Sequence, residues 1–137
     1  MVKSEVIRKR LAKLDEYLAI LRLQQRYSFE EFIATPERYG SAERFLQLAL
    51  EVLTDLGGHV IADEGWGTVD WHSDIPAILC DHGIIAVELR ERWVRMIGFR
   101  NVLVHAYLDI DLRIVYDVLQ RGLEDIEALR QAFARML

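Results

Sequence analysis

The sequence predicts an all-α protein, folded as an up-down bundle of four to five helices. Apolar side chains recur at steps of three and four residues through most of the 137-residue chain, which is the spacing that places them on one face of a helix. Strict alternation of apolar and polar residues, which is typical of a half-buried strand, is rare, and no hairpin dipeptide joins two such stretches. We therefore expect short connections between helices and a single domain over residues 1–137.

The first helix is predicted from a leucine-rich stripe near the N-terminus, which continues more weakly to Phe32. Pro36 then interrupts the pattern, because a proline disfavours helical backbone in the residue before it. Ser41 is expected to cap the second helix. The stripe of the first helix consists of Ile7, Leu11, Leu14, Leu18 and Leu21.

The second helix is predicted to be apolar on two sides. A helix of this kind lies at the centre of its bundle or also faces a partner chain. Gly57 and Gly58 are expected to weaken or end it. One side carries Phe45, Leu48, Ala49, Val52 and Leu56, and the second carries Leu46, Leu50 and Leu53.

A loop and two further helices complete the predicted bundle. Residues 65–72 hold glycines and tryptophans and are interpreted as a loop, after which Ser73 or Asp74 caps a third helix that tolerates Pro76 in its first turn. The last helix is expected to begin near Asp109 or Asp111. The inner faces of these helices are predicted to hold Ile78, Ile85, Leu89, Trp93 and Met96, followed by Leu112, Val115, Leu119, Leu123, Ile126 and Phe133.

Composition excludes several classes of protein. The chain is 52% hydrophobic and 28% charged, which is too apolar for a disordered chain and too charged for a membrane protein. No apolar run approaches the roughly 20 residues that a membrane span needs, and the charged N-terminus lacks the apolar core of a signal peptide. The single cysteine, Cys80, excludes an internal disulfide and a multi-cysteine zinc site. We therefore expect a cytoplasmic protein that does not bind a membrane.

The formal net charge of -5 argues at first against binding a polyanion. The charges are unevenly distributed, however: residues 28–89 hold two basic and twelve acidic side chains, whereas residues 1–27 hold seven basic and three acidic. Salt limits the reach of a charge to about 10 Å, so a local cluster decides how a phosphate docks. Arg90, Arg92, Arg95 and Arg100 form such a cluster, or alternatively line a solvated helix face.

One segment carries side chains suited to chemistry. Arg100, Asn101, His105 and Tyr107 fall within eight positions between two apolar helices. Arginine offers a permanent, planar charge that suits phosphate oxygens, and histidine takes or gives a proton near neutral pH. Together Arg100 and His105 can support transfer at a phosphodiester without a metal, with Asn101 orienting either partner.

The spacing of these residues leaves two interpretations open. Arg100 and His105 would lie about 140° apart around a regular helix, whereas Asn101 and His105 would share a face. Joint action of Arg100 and His105 would then need a bend, such as one near Gly98, or a second copy of the chain across a two-fold interface. The alternative is structural, with a partly buried histidine and an arginine that caps helix carbonyls.

Other candidate sites are weaker. His59, His72 and His82 have no fellow ligands at metal spacing, so no metal site is predicted. Asp109 and Asp111 are more simply caps than paired catalytic carboxylates. The tryptophans are expected to be core or interface anchors, because they are too dispersed for a base-stacking platform. They are Trp66, Trp71 and Trp93.

Residues 98–107, followed by Ile110-Asp111 and Val115-Tyr116, resemble the HepT-type toxins of the HEPN superfamily of helical nucleotide- and RNA-associated domains. The signature of these toxins is arginine, four residues, histidine, one residue and tyrosine, usually with asparagine after the arginine. This sequence matches it at every position, and residues 42–61 are similar to the family's second helix. The matching residues are Arg100, Asn101, His105 and Tyr107.

The resemblance implies a type VII toxin that cleaves RNA without a metal or other cofactor, with Arg100 and His105 in a cleft between the protomers of a homodimer. It implies as partner an MntA-like nucleotidyltransferase antitoxin that transfers AMP from ATP to Tyr107. No DNA binding is expected. Two alternatives stay open: a non-catalytic module that presents a nucleotide or substrate to the nucleotidyltransferase, and a purely structural helical dimer. The combination of four polar residues favours either of the first two functions over the structural one.

Overall fold

The computed structural model describes residues 3–137, and all regular elements in that range are helical. Four long helical passes, the last of which consists of two consecutive helices, form the bundle, and two short helices are added between them. The predicted all-helical bundle is therefore confirmed. The α-helices are α1 (Ser4–Gln24), α2 (Phe29–Ile33), α3 (Pro36–Glu64), α4 (Asp74–Asp81), α5 (Val87–His105), α6 (Leu112–Arg121) and α7 (Leu123–Ala134), with a 3₁₀ turn at Tyr107–Asp109.

The predicted stripe of α1 is buried, since its five apolar residues are each no more than 4% exposed. The predicted continuation of this helix to Phe32 is wrong, because α1 ends at Gln24. Ser28 starts α2 through a capping box, in which Ser28 Oγ accepts from the Glu31 N–H and the Glu31 carboxylate accepts from the Ser28 N–H.

α3 is the central helix, as its two apolar sides predicted, and it contacts each of the other six α-helices. It begins at Pro36, because a proline at the first helical position already has the φ angle that a helix requires. Ser41 therefore lies inside the helix and does not cap it. The expectation that no apolar run approaches the length of a membrane span is wrong for α3, which is long and apolar enough to cross a membrane by length and composition alone. Its contacts with all six neighbours instead identify it as the core helix of the bundle.

The prediction that Gly57 and Gly58 end this helix is wrong, since α3 continues to Glu64. A Cβ atom on Gly57 would lie 2.4 Å from Ile75 Cγ2 and 3.3 Å from the Trp93 ring. α4 and α5 therefore approach α3 closely at Gly57, which is a packing reason for a glycine inside a helix.

We expect Gly57→Ala to lower the free energy of unfolding by up to about 2 kcal/mol, because overpacking costs about 1–3 kcal/mol and the helix propensity of alanine returns about 1 kcal/mol. Gly58→Ala is the matched control, since no atom lies within 4 Å of its added Cβ. That variant should gain about 0.5–1 kcal/mol. Urea unfolding measures both, and equal stability of the two variants would contradict the packing role of Gly57.

The predicted third helix is divided into α4 and α5. α4 ends at Asp81, and Gly83, at a φ of 75°, turns the chain ahead of α5. Pro76 lies in the first turn of α4 as predicted. The last predicted helix is likewise divided, because Gly122 separates α6 from α7, and Asp111 rather than Asp109 caps α6 by accepting from the Arg113 N–H at 2.9 Å.

Candidate functional site

The C-terminal half of α5 and the loop before α4 line a cleft of about 350 Å³. Arg100, Asn101 and His105 all face this cleft from α5. The fold thus brings three of the four predicted site residues to one place within a single chain. The loop contributes Asp70, Trp71, His72 and Ser73, and α5 also contributes Ile97.

Arg100 and His105 reach this cleft although α5 is one unbroken helix that runs through Gly98. Both residues thus line one cleft of a single protomer. That their joint action needs a bend near Gly98 or a second protomer stays a prediction. The two residues can line the same cleft because an arginine side chain is long enough to place its guanidinium well away from the direction in which its own Cα points. His105 is the last residue of the helix.

Arg100 is held by two side chains. Its Nη2 donates to Glu51 Oε1 on α3 at 2.9 Å, and its Nη1 donates to Asn101 Oδ1 at 3.2 Å. The Arg100 side chain is 21% exposed. Since a guanidinium has five N–H donors, these two bonds leave donors that can bind an anion in the cleft. Side chains, not helix carbonyls, are the partners of Arg100, in contrast to the structural alternative.

Glu51 orients the guanidinium of Arg100. Burial raises the pKa of the Glu51 carboxyl, but hydrogen bonds from Gln47 and Arg100, together with the charges of Arg100 and Arg44, outweigh burial and hold that pKa below its usual value. The sequence interpretation missed Glu51, which lies 49 residues before Arg100. Its only indication in the sequence was its place within residues 42–61, the segment that resembles the family's second helix.

We expect Glu51→Gln to be less stable than wild type at neutral pH by no more than about 1 kcal/mol, because the ion pair is partly exposed to solvent. A folded-state pKa below the unfolded value gives stability that is complete above the unfolded pKa and is lost as the pH falls through the folded one. The difference in stability between Glu51→Gln and wild type should therefore shrink as the pH falls below about 4.5, the ordinary pKa of a glutamate. Urea unfolding at a series of pH values measures it.

Glu91→Gln is the control for this experiment, since the Glu91 carboxylate is well exposed and lies 3.9 Å from Arg90. That variant should match wild type at every pH. A destabilisation of Glu51→Gln that stays constant from neutral to acidic pH would show that the carboxylate charge does not hold the pair together.

His105 and Tyr107 lie at the exposed end of the site. The structural alternative predicted a partly buried histidine at this position, but His105 is exposed. Tyr107 begins the 3₁₀ turn two residues beyond His105 and is 67% exposed. It does not line the cleft itself. Its phenol is accessible to another protein.

A larger cavity of about 610 Å³ adjoins the cleft and shares four lining residues with it. On its α3 wall, Asp55 forms an ion pair with Arg10, and the His59 Nε2 atom lies 3.6 Å from Asp55 Oδ1 and 3.1 Å from Arg10 Nη2. The remaining histidine that was weighed as a metal ligand, His82, instead stacks on Trp66. Within residues 3–137 no group of three His, Cys, Asp or Glu side chains is arranged to hold a metal ion. The shared residues are Asp70, Trp71, His72 and Arg100.

The chain is similar in sequence to two curated nucleases. It is 32% identical over 82 residues to the mRNA nuclease HepT of Shewanella oneidensis, a match that covers 60% of this chain and 62% of that protein. It is 26% identical over 123 residues to the tRNA nuclease HepT of Aphanizomenon flos-aquae, a match that covers 90% of this chain and 84% of that one.

Solved structures share the fold at lower sequence identity. A toxin–antitoxin structure with AMP-PNP has a TM-score of 0.89 at 22% identity, covering 96% of this chain and 99% of that one. A tri-AMPylated HEPN toxin of Shewanella oneidensis in complex with MNT antitoxin has a TM-score of 0.88 at 23% identity, covering 97% and 99%. The cytosolic protein YutE of Bacillus subtilis has a TM-score of 0.85 at 20% identity, covering 99% and 91%.

The family comparison agrees with the motif and the fold. A family model described as ribonuclease HepT-like matches residues 7–133, a range that includes α1 to α7 in whole or in part. The predicted family is thereby confirmed. With its motif residues gathered at one cleft of an all-helical bundle, this chain belongs to the ribonuclease HepT-like family.

Proposed function

We propose that the chain is a metal-independent ribonuclease and the toxin of a type VII toxin–antitoxin system. The observation that carries this proposal is the shared cleft of Arg100, Asn101 and His105 in a chain that matches the ribonuclease HepT-like family. RNA as the substrate class is supported by the two relatives, which are named as nucleases of mRNA and tRNA. A cytoplasmic location is supported by the fold shared with the cytosolic protein YutE.

In the proposed reaction, Arg100 binds the phosphodiester and His105 transfers a proton. Guanidinium N–H groups donate to the phosphate oxygens and stabilise the negative charge that builds on them in the transition state. A neutral imidazole takes the proton of the ribose 2′-hydroxyl as that oxygen attacks phosphorus. An imidazolium gives its proton to the oxygen that leaves as the P–O bond breaks. Asn101 is a positioning residue, because it acts by accepting a hydrogen bond from Arg100.

A homodimer forms part of the proposal, since one imidazole fills only one of these two roles at a time. A two-fold related copy would bring a second Arg100 and a second His105 around the same cleft. Exposed apolar side chains on α5, on the 3₁₀ turn and on α6 offer a surface that an interface would cover. They are Val94, Val102, Leu108 and Ile114.

The proposed partner is an MntA-like nucleotidyltransferase antitoxin, and its proposed target is Tyr107. Support comes from two similar structures, one a toxin–antitoxin complex named for MntA and one an AMPylated toxin with MNT antitoxin. In the transfer, the Tyr107 oxygen attacks the α-phosphorus of ATP, pyrophosphate leaves and the phenol proton is lost. The added phosphodiester carries a negative charge two residues from His105, where charge and bulk oppose the entry of an RNA phosphate.

We expect Tyr107→Phe to escape neutralisation completely. After incubation with the nucleotidyltransferase and ATP, wild type should gain one or more AMP masses at Tyr107 and stop cleaving RNA, whereas the variant should keep cleaving it. Mass spectrometry of peptides and an RNA cleavage assay measure the two effects. Tyr17→Phe, which alters a half-buried tyrosine on α1, is the control and should behave as wild type. AMP added elsewhere, with Tyr107→Phe still neutralised, counts against the assignment.

The alternative function is a non-catalytic subunit that presents a nucleotide or substrate to the nucleotidyltransferase. Incubation of the purified chain with total cellular RNA in EDTA separates the two functions. RNA cleavage supports the ribonuclease. Intact RNA, combined with faster nucleotidyl transfer by the partner enzyme when this chain is added, supports the alternative.

A further inference from the structure

We propose that the larger cavity is a nucleobase-binding subsite, in which Trp71 stacks on a base of the RNA whose phosphodiester lies at Arg100 and His105. This inference rests on the proposed ribonuclease function and adds to it the group that holds a neighbouring nucleotide. Trp71 lines both cavities and is 74% exposed. A base on its indole face would therefore lie next to the phosphate held at Arg100.

The environment of Trp71 differs from that of the other tryptophans. Trp93 is fully buried in the core, and Trp66 stacks on His82 with ring centroids 4.2 Å apart. Trp71 has no ring stacked on it within the described part of the chain and does not belong to the core, so its predicted role as an interface anchor stays a prediction. Leaving a large aromatic ring in water forgoes about 1.5–3 kcal/mol of burial, and a ring left open beside polar groups is typical of a binding site.

The backbone that presents Trp71 is fixed before any ligand arrives. Asp74, the first residue of α4, accepts hydrogen bonds at Oδ2 from the N–H groups of Trp71 at 2.9 Å and Asp70 at 3.2 Å. The Asp74 N–H in turn donates to the Trp71 carbonyl at 2.9 Å. Because the loop is already tied to the helix, stacking on Trp71 needs little ordering of the backbone, which favours affinity.

The two cavities differ in the charge they offer. The smaller cleft presents Arg100, Asn101 and His105, which suit a phosphate. The larger cavity adds the carboxylates of Glu51 and Asp55, which are ion-paired with Arg100 and Arg10, and together with Asp70 at the shared edge they make this cavity more acidic than the cleft and less suited to a phosphate. Carboxylates accept hydrogen bonds from the amino and imino groups of a base, so a neutral base fits where a phosphate does not.

The size and the remaining lining of the larger cavity suit a base as well. Its volume of about 610 Å³ lies within the range of small-molecule sites. Apolar or small residues lie between its polar groups, which suits the flat face of a base. They are Gly58, Ala62, Val69 and Ile75.

Binding of non-cleavable RNA tests this subsite. The probes are fluorescently labelled single-stranded hexamers of 2′-O-methyl RNA, in which the attacking hydroxyl is blocked. Trp71→Ala should weaken binding by roughly 5- to 150-fold, the range expected for the loss of one aromatic stack on a base. Trp71→Phe should retain most of the affinity. Trp66→Phe, which changes a tryptophan outside both cavities, should bind as wild type.

Hexamers with one abasic nucleotide, moved position by position, distinguish stacking from a general effect on the fold. At one position the missing base should weaken binding to wild type and have no further effect on Trp71→Ala. Equal affinity of Trp71→Ala and wild type for every hexamer would overturn the proposal. So would a Trp71→Ala variant that alters dimerisation or nucleotidyltransferase binding while RNA binding is unchanged, because Trp71 would then be a protein contact.

Cleavage of ordinary RNA separates this proposal from the proposed function. If wild type cleaves RNA and Trp71→Ala binds the hexamers normally, the proposed subsite is refuted and the proposed ribonuclease function is retained. If wild type binds the hexamers through Trp71 but cleaves no RNA, the subsite stands and the ribonuclease fails.

Discussion

His105→Ala is expected to lower the rate of RNA cleavage by about 10²–10⁴-fold, the range that a general acid or base contributes. His105 is exposed at the end of α5, so its loss removes the proton-transfer group and leaves the helical core intact. Expression of the variant should accordingly no longer arrest growth. Initial rates on a defined RNA measure the effect, and circular dichroism with thermal unfolding checks the fold.

His82→Ala is the matched control for this variant. His82 is also exposed, but it lines neither cavity and stacks on Trp66 instead. It should retain close to the wild-type rate. Cleavage by His105→Ala at the wild-type rate, in preparations free of contaminating nuclease, would remove His105 from the mechanism.

Arg100→Ala is expected to lower the cleavage rate by about 10²–10³-fold, the usual cost of removing one group that stabilises charge in a transition state. Arg100→Lys should cleave RNA at a rate between those of wild type and Arg100→Ala. An ammonium keeps the positive charge but lacks the planar guanidinium that binds a phosphate through two N–H groups. Arg95→Ala is the control, since Arg95 is exposed on the same helix and lines neither cavity.

The loss of Arg100 also leaves Glu51 without its ion-pair partner, so a loss of stability must be separated from a loss of chemistry. The double variant Arg100→Ala with Glu51→Gln removes the unpaired carboxylate. We expect it to recover stability relative to Arg100→Ala and to recover no activity. Recovery of cleavage in the double variant would show that Arg100 serves the fold rather than the reaction.

The helical class of this chain could be predicted from its sequence, but the ends of the helices could not. The stripe on α1 is a local pattern, and each of its members is buried. Gly57 looks the same in sequence whether it ends a helix or admits a neighbouring one. Only the approach of Ile75 and Trp93 decides between these roles, and that approach is a property of the tertiary structure.

The residue types that line the candidate cleft from α5 could be chosen from the sequence, whereas their surroundings could not. Arg100 and His105 were proposed from residue type, spacing and family resemblance, and the structure adds that both line one cleft. Glu51 comes from a different helix, and the exposure of Trp71 depends on how the loop is tied to α4. The acidic segment at residues 28–89 supplies carboxylates to the cavity beside Arg100, a placement that net charge does not reveal.

We propose that Arg100 and His105 form a ribonuclease centre that needs no metal. The experiment measures the initial rate at which the purified chain cleaves a defined RNA in excess EDTA, beside Arg100→Ala and His105→Ala chains purified in the same way. We predict a wild-type rate that EDTA does not change and a rate at least about 100-fold lower in each variant. A rate abolished by EDTA, or one equal in wild type and both variants, would contradict the claim.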